Sequence, residues 1–167
     1  MKQTEKQTEE KTNVMRTLDR LHVSYGVHHP GDSVTALSGV EIASRLQQSP
    51  DRIFKTLVTT GHSGKHYVFV IPANKELDLK KAALAVGEKS IAMLLQKELL
   101  PLTGYVHGGC SPVGMKKAFQ TVLDETAESQ PTIFVSAGKI GSQIELSPAS
   151  LRQAVPYTLA PLTRSEG

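Results

Sequence analysis

Apolar residues recur along this chain with two periods. Val14, Leu18 and Leu21 fall at helical spacing behind Thr12 and Asn13, either of which caps a helix running to about His22. Ser38 and Glu41 form a capping-box pattern ahead of Ile42, Ala43 and Leu46, and Pro50 marks the exit of that helix. Asp78 caps another over Leu79 to Val86, closed by Gly87. Gln96 to Leu100 predicts a short turn ahead of Pro101, and Ser147-Pro148 opens a last helix through Ala154.

The second period belongs to strands. Ile53 to Thr60 and His66 to Ile71 are β-branched and aromatic runs separated by Gly61-His62-Ser63-Gly64, which predicts an antiparallel hairpin. Further strands are expected at Val23–Val27, Gly104–His107, Thr121–Leu123, Thr132–Ser136 and Gln143–Leu146. Strands in clusters with helices at irregular intervals predict an α+β fold with a mixed, mostly antiparallel sheet. In Ile53-Phe54-Lys55-Thr56-Leu57-Val58, odd and even positions both carry large apolar groups. Such a sheet is covered on both faces or curled toward a barrel, with helices around it.

Composition narrows the setting. With 167 residues, the chain fits one folding unit, and no linker or repeat divides it. The expected boundaries are a flexible segment over 1–11, a single domain over 12–160 and a tail over 161–167. Cys110 is the only cysteine, so the chain reads as a reduced, cytoplasmic protein without disulfides. The net charge of +3 permits an RNA partner without requiring one. No apolar run approaches the ~20 residues of a membrane span, and the first residues lack the apolar core of a signal peptide.

Candidate chemistry centres on Lys55, which shares a strand face with Ile53 and Leu57. An ammonium on an apolar surface is costly unless it is paired, so it either meets an anionic or electron-rich ligand or snorkels to water. Two glycine-rich segments are candidate pocket walls. One is Thr103-Gly104-Tyr105-Val106-His107-Gly108-Gly109-Cys110-Ser111-Pro112; the other is Ser136-Ala137-Gly138-Lys139-Ile140-Gly141, directly after a predicted strand. Neither matches GxxxxGK[ST] or GxGxxG, which disfavours a nucleotide triphosphate or dinucleotide site. There is no HExxH and no GxSxG, so no metal or cofactor is expected, although His62 and His66 could meet across the hairpin. Cys110 reads as a structural thiol rather than a nucleophile.

The same segments carry a resemblance. From Lys11 to about Val155 the chain resembles the YbaK/EbsC family of aminoacyl-tRNA deacylases, related to the editing domain of bacterial prolyl-tRNA synthetase. The likeness rests on Phe54-Lys55-Thr56-Leu57-Val58, on Leu77-Asp78-Leu79-Lys80-Lys81-Ala82-Ala83, on the Gly-Tyr-x-x-Gly-Gly-x-Ser-Pro run from Gly104 to Pro112, and on Val135-Ser136-Ala137-Gly138-Lys139. The resemblance implies hydrolysis of the ester joining an amino acid to the 3′ end of tRNA, above all Cys-tRNA(Pro), with the substrate's own thiol attacking the ester. It makes Lys55 the key lysine and gives Ser136 a catalytic place. Thr103, Gly104, Gly108, Gly109, Ser111, Pro112, Gly138 and Gln143 would shape the substrate pocket, with backbone N–H groups of Gly108, Gly109 or Gly138 facing the oxyanion.

The implied partners are aminoacylated tRNA and prolyl-tRNA synthetase, which would supply tRNA identity. Lys80, Lys81, Lys89, Lys116 and Lys117 are candidates for phosphate contact. Two positions depart from the family pattern: His28-His29-Pro30 stand where some members have a tyrosine, and Gln143 where some have an aspartate. Two alternatives stay open, a deacylase with another preference such as Ala-tRNA(Pro) and a non-catalytic RNA- or protein-binding module of the same fold.

Overall fold

The computed structural model describes residues 10–165, so most of the expected flexible segment over 1–11 lies outside the described residues. Helix α1 spans Asn13–Arg20, and its cap Thr12 accepts a hydrogen bond from the Met15 N–H. Strand β1 is Gly26–His28 and helix α2 is Gly39–Leu46, with both halves of the Ser38–Glu41 capping box formed. A 3₁₀ turn, Pro50–Arg52, leads into the hairpin of β2, Phe54–Gly61, and β3, His66–Pro72. Helix α3, Leu79–Val86, starts at Asp78 and ends on a left-handed Gly87. Then come β4, Ile91–Met93, α4, Gln96–Thr103, and β5, Gln120–Asp124. After a second 3₁₀ turn follow β6, Ile133–Ser136, β7, Gln143–Leu146, α5, Pro148–Ala154, and β8, Tyr157–Ala160.

The strands form two sheets rather than one curled sheet. One is antiparallel, in the order β1-β7-β6; the other runs β4-β2-β3-β5-β8 and contains two parallel pairs, β3 with β5 and β5 with β8. An isolated parallel bridge between Ile53 and Phe134 joins them where β2 begins. The largest core lies between the sheets. It gathers Phe54 and Val58 of β2, Val68 and Val70 of β3, Val135 of β6 and Ile144 of β7 under Val14, Met15 and Leu18 of α1. The opposite face of β3 carries Tyr67, Phe69 and Ile71 against Ala82 and Ala83 of α3. Burial on both faces accounts for the unbroken apolar run in β3, whose last six residues are all buried.

Two local expectations change, and two strands stand where none was expected. Gly104–His107 is not a strand: Gly104 ends α4 at φ +88°, and the Gly109 N–H turns back onto the Val106 carbonyl. Positive φ at Gly104 and Gly108 breaks any extended run between them. Tyr105 is nevertheless buried and donates its hydroxyl to the Val113 carbonyl. Helix α4 passes through Pro101 instead of stopping before it, because its last turn is closed by Gly104 N–H to Leu100 O and by the Thr103 hydroxyl to Leu99 O. Strands β4 and β8 are too short to signal themselves by alternation. The segment over 161–165 is packed on the domain: Leu162 is buried, its N–H donates to Asp124, and its carbonyl accepts from Asp78 N–H.

Candidate active site

Strands β2 and β6 leave the Ile53–Phe134 bridge in the same direction and pair no further. Strand β4 takes up the free edge of β2 only from Thr59 onward, with Leu94 N–H reaching the Val58 carbonyl. Between the bridge and β4, residues Lys55 to Leu57 face a cleft of about 380 Å³. Diverging parallel strands open such a crevice because the backbone on each side has lost its neighbour. Lys55 and Thr56 enter from β2, Ser136 from the end of β6 and Gln143 from the start of β7. His107, Gly108 and Cys110 supply one wall, and the loop from Ala36 to Gly39 supplies another.

The walls are stacked backbone, and glycine permits the stacking. A Cβ on Gly108, at φ +89°, would lie 2.8 Å from the Ala36 side chain. A Cβ on Gly141, at φ +92°, would lie 1.8 Å from the Asp32 carbonyl oxygen. The loop over residues 29–38 is strapped down by Ser142 on His29 at 2.9 Å and by Arg45 on the Pro30 carbonyl at 3.0 Å. Beneath it, Glu145 binds His28 at 2.9 Å, Arg52 at 3.4 Å and the Thr132 hydroxyl at 2.5 Å. The Thr132 hydroxyl first, then His28 and Arg52, hold the Glu145 carboxyl below the usual glutamate range. This network fixes β1 against β7, where His28 lies opposite Gln143.

Electrostatically the cleft is a cation without a counter-ion. No Asp or Glu lines it. Burial pushes the Lys55 ammonium below the ordinary lysine value, and Glu76 opposes this only in part. The Cys110 thiol beside it is pushed up to about 12 by burial, so it stays protonated and is a poor nucleophile. Ser136 accepts a hydrogen bond from the Gly138 N–H at 3.1 Å, which leaves its own proton available to a ligand. Gln143 Oε1 and Thr56 Oγ1 are buried without a hydrogen-bond partner. A desolvated ammonium, a free hydroxyl proton and two orphaned oxygens together suit a small, polar, electron-rich ligand.

Of the residues singled out by the sequence, Lys55, Ser136, Gly108 and Gln143 meet in this cleft. The others do not line it. Thr103 is buried and bonded to its own helix, Gly104 caps that helix, and Ser111 turns its hydroxyl to the Val113 N–H. Pro112 faces a separate apolar groove beside Phe119 and Val155. The Gly109 and Gly138 N–H groups are spent on Val106 and Ser136, whereas the Gly108 N–H makes no hydrogen bond within the described residues. Lys81 and Lys116 are tied to the Thr163 and Pro101 carbonyls. His66 bonds Thr60, and among the described residues no cluster of three His, Cys, Asp or Glu side chains could hold a metal ion. Thr56 is a polar lining residue that the sequence did not single out as a site residue, since a hydroxyl's missing partner is visible only in three dimensions.

Fold and cleft describe a small mixed-sheet domain built to receive a polar ligand at the splayed start of two strands. The chain belongs to the aminoacyl-tRNA editing domain family, whose model matches residues 35–154. It is 46% identical over 161 residues to an Enterococcus faecalis protein provisionally named Cys-tRNA(Pro)/Cys-tRNA(Cys) deacylase EbsC, covering 96% of this chain and 98% of that one. A proline–tRNA ligase from Pelobacter propionicus is 26% identical over 99 residues, 59% of this chain and 17% of the ligase. A solved structure described as a candidate trans-editing enzyme for prolyl-tRNA synthetase superposes with TM-score 0.80 at 25% identity, covering 92% of this chain and 96% of that one. No helix among the described residues is long and apolar enough to cross a membrane.

Proposed function

We propose that this chain is a trans-editing aminoacyl-tRNA deacylase that clears cysteine from Cys-tRNA(Pro), with the ester held at Lys55. The observation that carries the reading is the Lys55 cleft itself, a half-buried ammonium with no carboxylate lining its cleft, in a family defined by aminoacyl-tRNA editing. The cleft offers no activated nucleophile, because Cys110 is held protonated. Chemistry of the substrate fills that gap: the cysteinyl sulfur attacks its own ester carbonyl, the C–S bond forms, and the bond to the ribose oxygen breaks. The thiol proton ends on that ribose oxygen, and water then opens the thiolactone.

Such a reaction asks the protein to hold a near-attack geometry and to meet the developing oxyanion with donors. Lys55, the Ser136 hydroxyl and the Gly108 N–H are the donors at hand. A small domain of net charge +3 neutralises few phosphates, so tRNA identity comes from prolyl-tRNA synthetase acting beside it. The likeness to a segment of proline–tRNA ligase supports that pairing. The test is the decay of Cys-tRNA(Pro), Ala-tRNA(Pro) and Pro-tRNA(Pro) with and without the protein. Selective loss of the cysteinyl ester is the expected result; equal clearance of the alanyl ester overturns the thiol-assisted step.

A further inference from the structure

The donors of the cleft have a role in this mechanism, but its two acceptors have none. Among the described residues, Thr56 Oγ1 and Gln143 Oε1 are the two buried side-chain polar atoms without a hydrogen-bond partner, and both belong to residues that line the Lys55 cleft. Buried hydroxyls elsewhere are bonded: Thr59 donates to the Tyr67 carbonyl at 3.0 Å, Thr103 to Leu99 at 2.7 Å and Thr121 to Phe119 at 3.0 Å. An orphaned buried oxygen forfeits the solvation it had in the unfolded chain, so two in one cavity are explained most directly by a ligand that supplies donors.

The pleat of β2 places Thr56 for that task. Gly61 N–H bonds Lys65 O, and Ala73 N–H bonds Ile53 O, so the odd-numbered positions of β2 make the hydrogen bonds to β3. Thr56, opposite Val70, therefore directs its own N–H and C=O away from β3, toward the gap between β2 and β6. The edge of β2 at Thr56 lies between the Ile53 bridge and the β4 ladder and is paired by neither. Thr56 thus brings an unpaired main-chain edge to the cleft and carries an unpartnered hydroxyl, and Gln143, itself only 7% exposed, lines the same cleft.

The ligand group that answers two neutral acceptors beside an ammonium is an amine. No carboxylate lines the cleft to balance an ammonium, and Lys55 would repel one, so the site suits the uncharged amine. We infer that Thr56 and Gln143 receive the α-amino group of the esterified amino acid, which makes Thr56 a further substrate-contacting residue. The inference rests on the deacylase reading. With the amine held on this side, the ester carbonyl is turned toward Lys55 and Ser136.

The experiment compares wild type, Thr56→Val and Thr56→Ser on cysteinyl-tRNA(Pro) and on the same tRNA esterified with the desamino analogue, 3-mercaptopropionate, with melting temperature as the folding control. Wild-type clearance of the cysteinyl ester comes first; its absence overturns the deacylase reading, not the contact. Given that activity, Thr56→Val is expected to lose about tenfold or more in kcat/KM on the cysteinyl ester, with Thr56→Ser within about threefold of wild type. On the desamino ester wild type and Thr56→Val should be equal, and the melting temperature of Thr56→Val should not fall. The contact is overturned if Thr56→Val keeps wild-type activity. It is overturned equally if the variant loses the same factor on both esters, which would place the hydroxyl on the ribose or the carbonyl instead.

Discussion

Strand β2 is two different structures along one run of eight residues. From Thr59 to Gly61 it is paired on both edges, by β3 and by β4, and Thr59 is fully buried with its hydroxyl bonded to Tyr67. From Lys55 to Leu57 only β3 pairs with it; Lys55 has no counter-ion in the cleft and Thr56 has no hydrogen-bond partner. Two threonines three positions apart thus show opposite solutions to the same problem. One satisfies its hydroxyl and contributes to stability. The other leaves it unsatisfied at a cost to stability, which proteins accept where a ligand will complete the bonds.

The difference is open to attack from both ends. The largest expected effect is on the wall that keeps the cleft in shape: Gly141→Ala drives a Cβ into the Asp32 carbonyl at positive φ and should destabilise the fold by about 3 kcal/mol or more. Chemical denaturation measures it, and protease sensitivity should rise first over residues 29–38. Thr59→Val is expected to cost about 1 kcal/mol, read from the shift in denaturation midpoint, with deacylation unchanged. Reduced activity in Thr59→Val at full folding would erase the contrast between the two halves.

A smaller effect separates the halves by pH. Lys55 has a folded-state pKa below its unfolded value of about 10.5, so the unfolded chain binds more protons between the two values and stability rises with pH through that window. The penalty is fully present below that window and is relieved as pH rises through it. Lys55→Met removes it, so this variant should melt above wild type at pH 7, with the gap closing as pH climbs toward 10.5. Thermal melts at a series of pH values decide the matter; a variant that melts lower at pH 7 would mean that the ammonium is paired.

The sequence made the closed half of the molecule legible and only part of the open half. The hairpin, the Ser38–Glu41 box and the Asp78 and Gly87 caps follow from neighbouring residues, and local chemistry is what the sequence displays. The run from Gly104 to His107 misled because an apolar-aromatic pattern also fits a loop whose Tyr105 is buried. In the site, Lys55 announced itself as a charge on an apolar face, and Ser136 and Gly108 stood in glycine-rich segments. Gly109 and Gly138 looked equally free, but turn hydrogen bonds occupy their N–H groups. Thr56 stood in the Phe54–Val58 segment without a role of its own, since threonine in a strand is ordinary and its unpartnered hydroxyl is visible only in the fold.

The most direct test of the central claim is the single-turnover decay of Cys-tRNA(Pro) with wild type and Lys55→Ala, both shown to be folded by melting. The account predicts rapid loss of the ester with wild type and a rate within a few-fold of buffer with Lys55→Ala. Wild-type rates from the folded variant would contradict it and move the chemistry out of the Lys55 cleft.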